Sequence, residues 1–306
     1  MVPLNSKAII LALITVLIWG STFAAISVSL QGGYSAGHLI LVRFLIASII
    51  FLIIAFLPNI KFRLPTKRDL LRITFVALVG ISGYHLCVTF GQETVSAGTA
   101  GLIIGTSPIF TTLFAIWILK ERLGTIGWMG LGFGFIGILL ISIGSGDGLG
   151  FSPGVVLILM AAIATSLFFV YQKPLFEKYS AIELTAYFTW IGTIPFLYFV
   201  PGLFNDIQTA TLEANLTAIF IGIFPTSIAY LTWSIALSLA SASSISSILY
   251  IEPVIAIIVA WVWINDLPSM LSILGGVIAI TGVLIVNYFG KKQRLLKNPQ
   301  IEPSTK

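Results

Sequence analysis

The sequence has little charge from which to build a water-soluble surface. Aspartate, glutamate, lysine and arginine occupy 9% of its 306 positions, whereas hydrophobic residues occupy 58%. A typical globular chain is about one quarter charged, so a soluble fold of this composition would lack the polar surface that keeps it dispersed. The composition excludes an ordinary soluble protein and indicates a chain that lies largely in a lipid bilayer.

Cysteine is almost absent. Cys87 is the single cysteine, and it lies within an apolar segment. The sequence therefore offers neither a disulfide framework nor a thiolate metal site. The sequence motifs of serine hydrolases, zinc proteases and P-loop ATPases are also missing. We predict that the protein is not an enzyme and that it needs no metal or other cofactor.

The net charge of +5 does not indicate a nucleic-acid partner, because the basic residues lie in short connectors and in the C-terminal tail. Basic residues on one side of apolar segments are typical of membrane topology. With a cytoplasmic N-terminus, every lysine and arginine except Arg43 falls on the inner side. The predicted outer connectors carry acidic residues: Glu93, Asp147, Asp206, Glu213 and Asp266. We predict a multi-pass protein of the plasma (inner) membrane with both termini in the cytoplasm.

Long apolar runs separated by polar residues, glycine or proline predict ten transmembrane helices. About 20 apolar residues are needed to cross about 30 Å of hydrocarbon, and each run approaches that length. The predicted helices are 8–30, 36–57, 70–91, 95–118, 123–143, 153–173, 182–200, 214–237, 241–264 and 270–289.

The two halves of the chain align without a gap at an offset of 145 positions. Matched residues include Pro108 with Pro253, Glu121 with Asp266, Gly130 with Gly275, and Gly137 with Gly282. Because five helices make an odd number of crossings, a second copy enters the membrane from the opposite side. The expected fold is an all-α integral membrane protein of two inverted five-helix repeats. We expect the repeats at residues 1–145 and 146–290, followed by a basic cytoplasmic tail at residues 291–306.

Several short motifs carry a resemblance to a known family: Trp19-Gly-Ser-Thr-Phe23, Arg43-Phe44, Ser107-Pro108, Lys120-Glu-Arg-Leu123 and Glu252-Pro253. Over about residues 8–289 the chain resembles the EamA-type family of the drug/metabolite transporter superfamily. One departure is Asp266, which stands where the family usually has glutamate. The resemblance implies export of amino acids and their derivatives, or of other small metabolites and toxic compounds, by alternating access.

Glu252 is the first candidate functional residue, because a carboxyl group inside a membrane helix costs roughly 2.5–3.5 kcal/mol on insertion scales. We expect it near the middle of the ninth helix, facing the bundle interior. It is a candidate for proton coupling and for binding a substrate ammonium group. The alternative is a helix–helix hydrogen bond beside the kink at Pro253.

Two further polar residues are candidate substrate ligands. His85 in the third helix can titrate, donate a hydrogen bond or stack on a substrate, or it can be a packing histidine. Its counterpart at the 145 offset is Tyr230, which would face the same cavity. Arg43 in the second helix either extends to the membrane surface, binds a substrate carboxylate, or ties its helix to a neighbour. The structural tie is the favoured interpretation for Arg43.

The remaining candidates are aromatic and hydroxyl residues. Trp19 and Trp233 lie deep enough to form a cavity wall, with an indole N–H that needs a partner. Tyr250 is a further aromatic candidate, and the hydroxyl groups of Thr106 and Ser246 are within reach of a ligand.

The favoured function is a secondary transporter that exports small organic metabolites, with a proton as the candidate coupling ion. The alternatives are a sugar-phosphate or nucleotide-sugar exchanger of the same superfamily and a passive metabolite channel. Phosphates need several basic residues in the cavity, and a channel needs a repeated filter; neither is evident. The expected partners are a small-molecule substrate and the lipid bilayer, and we expect a monomer or a weak dimer.

Overall fold

The computed structural model describes residues 6–58, 60, 62–118, 123–145, 152–239, 247–286 and 288. Within these ranges every regular element is helical and no strand occurs, which confirms the predicted all-α class. The α-helices are α1 (Ser6–Gln31), α2 (Ala36–Ala55), α3 (Lys67–Ala77), α4 (Tyr84–Gly91), α5 (Ala97–Ile104), α6 (Ser107–Ile118), α7 (Thr125–Gly144), α8 (Pro153–Gln172), α9 (Ala181–Thr193), α10 (Leu203–Thr209), α11 (Leu212–Ile223), α12 (Tyr230–Leu239), α13 (Glu252–Ile264) and α14 (Met270–Ile285).

Two π-helices join α-helices into longer rods. Leu78–Gly83 links α3 to α4, and Phe224–Ala229 links α11 to α12. A π-helical turn widens the hydrogen-bond spacing and is frequently found at functional sites. The residues that follow the two π-helices are Tyr84 and Tyr230, so each π-helix sets the rotation of the helix that carries candidate site residues. Sequence periodicity predicted the rods without these breaks.

Among the described residues, seven helices are long and apolar enough to cross a membrane. An eighth span would be the pair Ala181–Phe199 and Leu203–Thr209, which is bent by 84°. Two further apolar helices, Ile248–Ile264 and Met270–Ile285, are shorter than the other spans. The chain is therefore a multi-pass membrane protein. Helix α10 was not predicted; it begins after Gly202, whose φ of +87° is a left-handed conformation that favours glycine.

Hydroxyl residues begin several helices at matching places in the two halves. Thr66 before α3 and Thr211 before α11 each accept a hydrogen bond from the backbone N–H three residues on. Ser180 before α9 forms a capping box with Glu183. These caps satisfy backbone donors that would otherwise be unpaired at the helix start, so the sequence locally fixes where the helices begin.

Among the described helices, α7 and α14 make the most extensive contact. A Cβ atom added at Gly137 would lie 2.5 Å from the carbonyl oxygen of Gly275, and one added at Gly282 would lie 2.5 Å from that of Gly130. The two backbones therefore touch where glycine removes the side chain, as small residues permit between membrane helices.

The rest of the bundle is interleaved. Helix α1 packs on α11, α12 and α13 from the C-terminal half, and α8 packs on α4 and α6 from the N-terminal half. This exchange places residues of both halves around one central space.

Candidate functional site

The central space contains a cavity between the helices. Its wall combines residues from α1, α2, α4, α5, α6, α8, α12 and α13 with one residue of the 3₁₀ turn before α13. The lining residues are Trp19, Thr22, Phe23, Ile26, Arg43, Tyr84, His85, Val88, Ile104, Ser107, Thr165, Phe169, Tyr230, Leu249 and Glu252. An apolar, aromatic wall with a few polar groups is typical of a small-molecule site.

Five of the residues singled out from the sequence lie together on this wall: Trp19, Arg43, His85, Tyr230 and Glu252. Each of the five comes from a different helix: α1, α2, α4, α12 and α13. Only the tertiary fold brings them together.

Three other residues singled out from the sequence are described by the structure and do not line the cavity: Thr106, Trp233 and Tyr250. Thr106 is buried, and its hydroxyl donates to the Ile103 carbonyl at 2.6 Å. Trp233 is fully buried behind Trp19, and its indole N–H has no acceptor. Tyr250 packs against the cluster of α6, α7 and α14 residues, and Ser246 lies outside the described residues.

Several lining residues were missed by sequence reasoning. Thr22 and Ile26 follow Trp19 by three and seven positions, and Val88 follows His85 by three, which is the spacing of one helix face. Helical spacing from a recognised residue could therefore have identified these three. Thr165 and Phe169 on α8 have no recognised residue on the same helix face, because an apolar membrane helix shows no sequence contrast between its lipid face and its inner face.

Arg43 is 1% exposed, so it does not extend to the membrane surface. Its Nε donates to the hydroxyl oxygen of Thr226 at 3.0 Å, and that hydroxyl donates in turn to the Ile221 carbonyl at 2.8 Å. The contact ties α2 to the π-helix between α11 and α12. The buried Nη1 of Arg43 has no hydrogen-bond acceptor.

His85 and Tyr230 form a pair on the cavity wall, with 3.1 Å between the imidazole Nε2 and the phenol oxygen. The His85 ring packs edge-on against Phe44 and Tyr84, and its Nδ1 has no partner. Trp19 packs edge-on against Tyr230 and donates its indole N–H to the Pro225 carbonyl at 3.2 Å. The indole N–H of Trp19, which needs a partner inside the bundle, therefore bonds to a carbonyl of the second π-helix.

Glu252 is 7% exposed and is the first residue of α13, directly after the 3₁₀ turn Ser247–Ile251. It opens its α-helix rather than lying in the middle of a continuous one, because Pro253 lacks the backbone N–H that a helix interior requires. The N-terminal end of a helix favours a negative charge. The ion pairs among the described residues are His38 with Asp206 and Lys178 with Asp69, so Glu252 and Arg43 line one cavity without pairing.

The described residues contain no group of three histidine, cysteine, aspartate or glutamate side chains that could hold a metal ion. What the cavity presents is a guanidinium, a carboxyl group, an imidazole–phenol pair and aromatic rings. This set can bind a small organic molecule through both charge and ring contacts.

An all-helical multi-pass membrane protein with a cavity that presents a few polar groups between its helices has the general architecture of a membrane transporter. Comparison with family models defines it further. The model of the EamA-like transporter family matches residues 6–143 and, a second time, residues 152–288. The chain belongs to the EamA-like transporter family.

Individual relatives agree with this assignment. The chain is 37% identical over 266 residues to the uncharacterized transporter YdfC of Bacillus subtilis (strain 168), covering 87% of this chain and 86% of YdfC. It is 32% identical over 282 residues to a probable terminal-alkyne amino-acid exporter of Streptantibioticus cattleyicolor, covering 92% and 94%. A crystal structure that is 20% identical superposes with a TM-score of 0.67 over 93% of this chain and 99% of the other, which supports the fold.

Proposed function

We propose that this protein is a secondary transporter that exports small organic metabolites, namely amino acids and their derivatives or drug-like compounds, by alternating access. The observation that carries the proposal is the central cavity, in which Arg43 and Glu252 stand unpaired among aromatic side chains. The transporter family and one relative, the probable terminal-alkyne amino-acid exporter, support the same substrate range.

The proposed architecture is ten membrane spans in two inverted repeats, residues 1–145 and 146–290, with a basic tail after them. Residues related by a two-fold axis touch each other only close to that axis. His85 bonds to Tyr230, and the Ser48 hydroxyl lies 3.0 Å from that of Thr193, and in both pairs the partners are 145 positions apart. The two π-helices also begin at positions that match to within one residue at this offset. These contacts support a pseudo-two-fold axis through the cavity.

Such an axis gives alternating access a structural basis. Two similar halves that enter the membrane in opposite senses can exchange an inward-open arrangement for an outward-open one of nearly equal energy. The interleaved packing of α1 and α8 with the opposite halves lets a shift of either half reshape the whole cavity wall.

Glu252 is the proposed coupling residue. Its carboxyl group faces the cavity from the start of α13 and has no cationic partner among the described residues. A carboxyl group in that position can bind either a proton or a substrate ammonium group. Because the proton and the substrate cannot bind at the same time, export of the substrate is coupled to entry of a proton.

We place the protein in the plasma (inner) membrane with both termini in the cytoplasm, as a monomer or a weak dimer, on the basis of its lysine and arginine distribution. A sugar-phosphate or nucleotide-sugar substrate fits less well. Arg43 is the single lysine or arginine among the described residues that line the cavity, and Glu252 would repel a phosphate.

The test is a mass-spectrometric comparison of the medium of cells that express the protein with that of cells expressing Glu252→Ala at equal membrane level. A defined set of metabolites enriched by the unmutated protein alone is the expected result. Equal media across the panel would contradict export.

A further inference from the structure

Arg43 has an unusual environment for a buried cation. Its side chain is 1% exposed, its Nη1 has no hydrogen-bond acceptor, and no carboxylate among the described residues pairs with it. Burying a charge without a partner is costly, so such a group persists where function requires it or where another molecule supplies the partner. The cavity that Arg43 lines is the place from which such a partner can reach it.

Thr226 fixes how the guanidinium is presented. Its hydroxyl donates to the Ile221 carbonyl, five residues earlier, and accepts from Arg43 Nε. Nε is therefore engaged, whereas Nη1, which has no acceptor among the described residues, is left for a ligand. A planar pair of guanidinium N–H donors matches the two oxygens of a carboxylate.

The opposite charge stands on the same wall. Glu252 lines the cavity from α13, and Tyr84, Tyr230 and Arg43 line it from other helices. The two charges do not form an ion pair, so each is left for a ligand in the cavity. A molecule with a carboxylate at one end of its polar group and an ammonium at the other satisfies both buried charges and keeps the cavity neutral.

We propose that Arg43 is the carboxylate-binding residue of this cavity, that Thr226 is its positioning residue, and that the substrates are zwitterions rather than simple amines. The inference rests on the proposed transport function, whose substrate class it narrows. Aromatic residues beside both charges, among them Trp19 and Phe169, form the surface for the ligand's apolar part.

The experiment measures ligand binding to the purified full-length protein in detergent, by calorimetry or by ligand-induced thermal shift. The probes are L-phenylalanine, 2-phenylethylamine, which lacks the carboxylate, and 3-phenylpropanoate, which lacks the amine. The unmutated protein is expected to bind L-phenylalanine more tightly than either fragment.

The decisive variants are at Thr226, because Arg43→Ala removes a helix tie and can fail to fold. Thr226→Val should lower the binding affinity for L-phenylalanine and for 3-phenylpropanoate by about tenfold, the scale of one hydrogen bond to a charged group. The affinity for 2-phenylethylamine should stay unchanged. Thr226→Ser should restore carboxylate binding. The opposite variant, Glu252→Gln, should lower the binding affinity for the two amine-bearing probes and leave that for 3-phenylpropanoate unchanged.

Ser227→Ala is the matched control. Ser227 is the next residue of the same π-helix, and its hydroxyl makes the same type of bond, to the Gly222 carbonyl at 2.8 Å, with no contact to Arg43. If Ser227→Ala and Thr226→Val lower the binding affinity for all three probes to the same extent, Thr226 only supports the helix and the inference is overturned. It is also overturned if the unmutated protein binds 2-phenylethylamine as tightly as L-phenylalanine, or binds none of the three. Absence of export from cells would instead count against the transport function, since binding is read separately.

Discussion

The imidazole of His85 and the hydroxyl of Tyr230 are hydrogen-bonded at 3.1 Å, and the two residues stand 145 positions apart. The first follows a π-helix in the N-terminal half and the second follows one in the C-terminal half. The pair therefore places two unlike polar groups side by side on a shared wall. An asymmetric ligand can be recognised at such a place.

Removing the hydroxyl in Tyr230→Phe should destabilise the protein by about 1–3 kcal/mol, because His85 is buried and would lose the hydrogen bond at Nε2. Thermal unfolding in detergent measures the change. Tyr187→Phe is the control, since its hydroxyl donates to the Arg63 carbonyl at an exposed site and should cost about 0.5 kcal/mol or less. Equal losses in the two variants would show that the His85 contact adds nothing.

Glu252→Gln should separate substrate exchange from proton-driven accumulation. The amide keeps the size and polarity of the side chain but cannot release a proton. At a substrate concentration high enough to offset weaker binding of the ammonium group, proteoliposomes of the variant should therefore exchange labelled for unlabelled substrate and fail to accumulate it under a pH gradient. Glu213→Gln, at an exposed carboxylate before the membrane part of α11, should do both. Accumulation by Glu252→Gln at the unmutated rate would rule out Glu252 as the coupling residue.

The orientation of the chain can be read by cysteine labelling, because Cys87 is the single native cysteine. In a Cys87→Ser background, Gln208→Cys should react in intact cells with a membrane-impermeant maleimide, since Gln208 is exposed in the predicted outer connector. Glu177→Cys, exposed in the predicted inner connector, should react after the cells are permeabilised. The reverse pattern would invert the proposed topology.

The sequence predicted the helical class and the family because both depend on features that repeat along the chain: apolar runs of membrane length, and short motifs such as Arg43-Phe44. The contents of the cavity were only partly predictable. Trp19, Arg43, His85 and Glu252 stood out because polar or indole groups are rare inside apolar helices. Thr165 and Phe169 did not stand out, because hydroxyl and phenyl groups are common on every face of a membrane helix.

Thr226 shows why the rest could not be read from the sequence. Its contact with Arg43 joins positions 183 residues apart, and the π-helix that presents it leaves no signal in hydrophobic periodicity. The two halves had to be packed before the hydroxyl and the guanidinium could be recognised as one unit.

The contact between α7 and α14 predicts opposite outcomes for two glycines on one helix. In Gly137→Ala the new methyl group would lie 2.5 Å from the backbone of Gly275 and Ala279, so the helices must separate, at a cost of about 1–3 kcal/mol. In Gly132→Ala the methyl group meets nothing within 4 Å, and alanine is the better helix former, so stability should stay the same or rise. Thermal unfolding in detergent compares the two variants under identical conditions. A loss at Gly132 as large as that at Gly137 would mean that the glycines act through general helix properties and not through this interface.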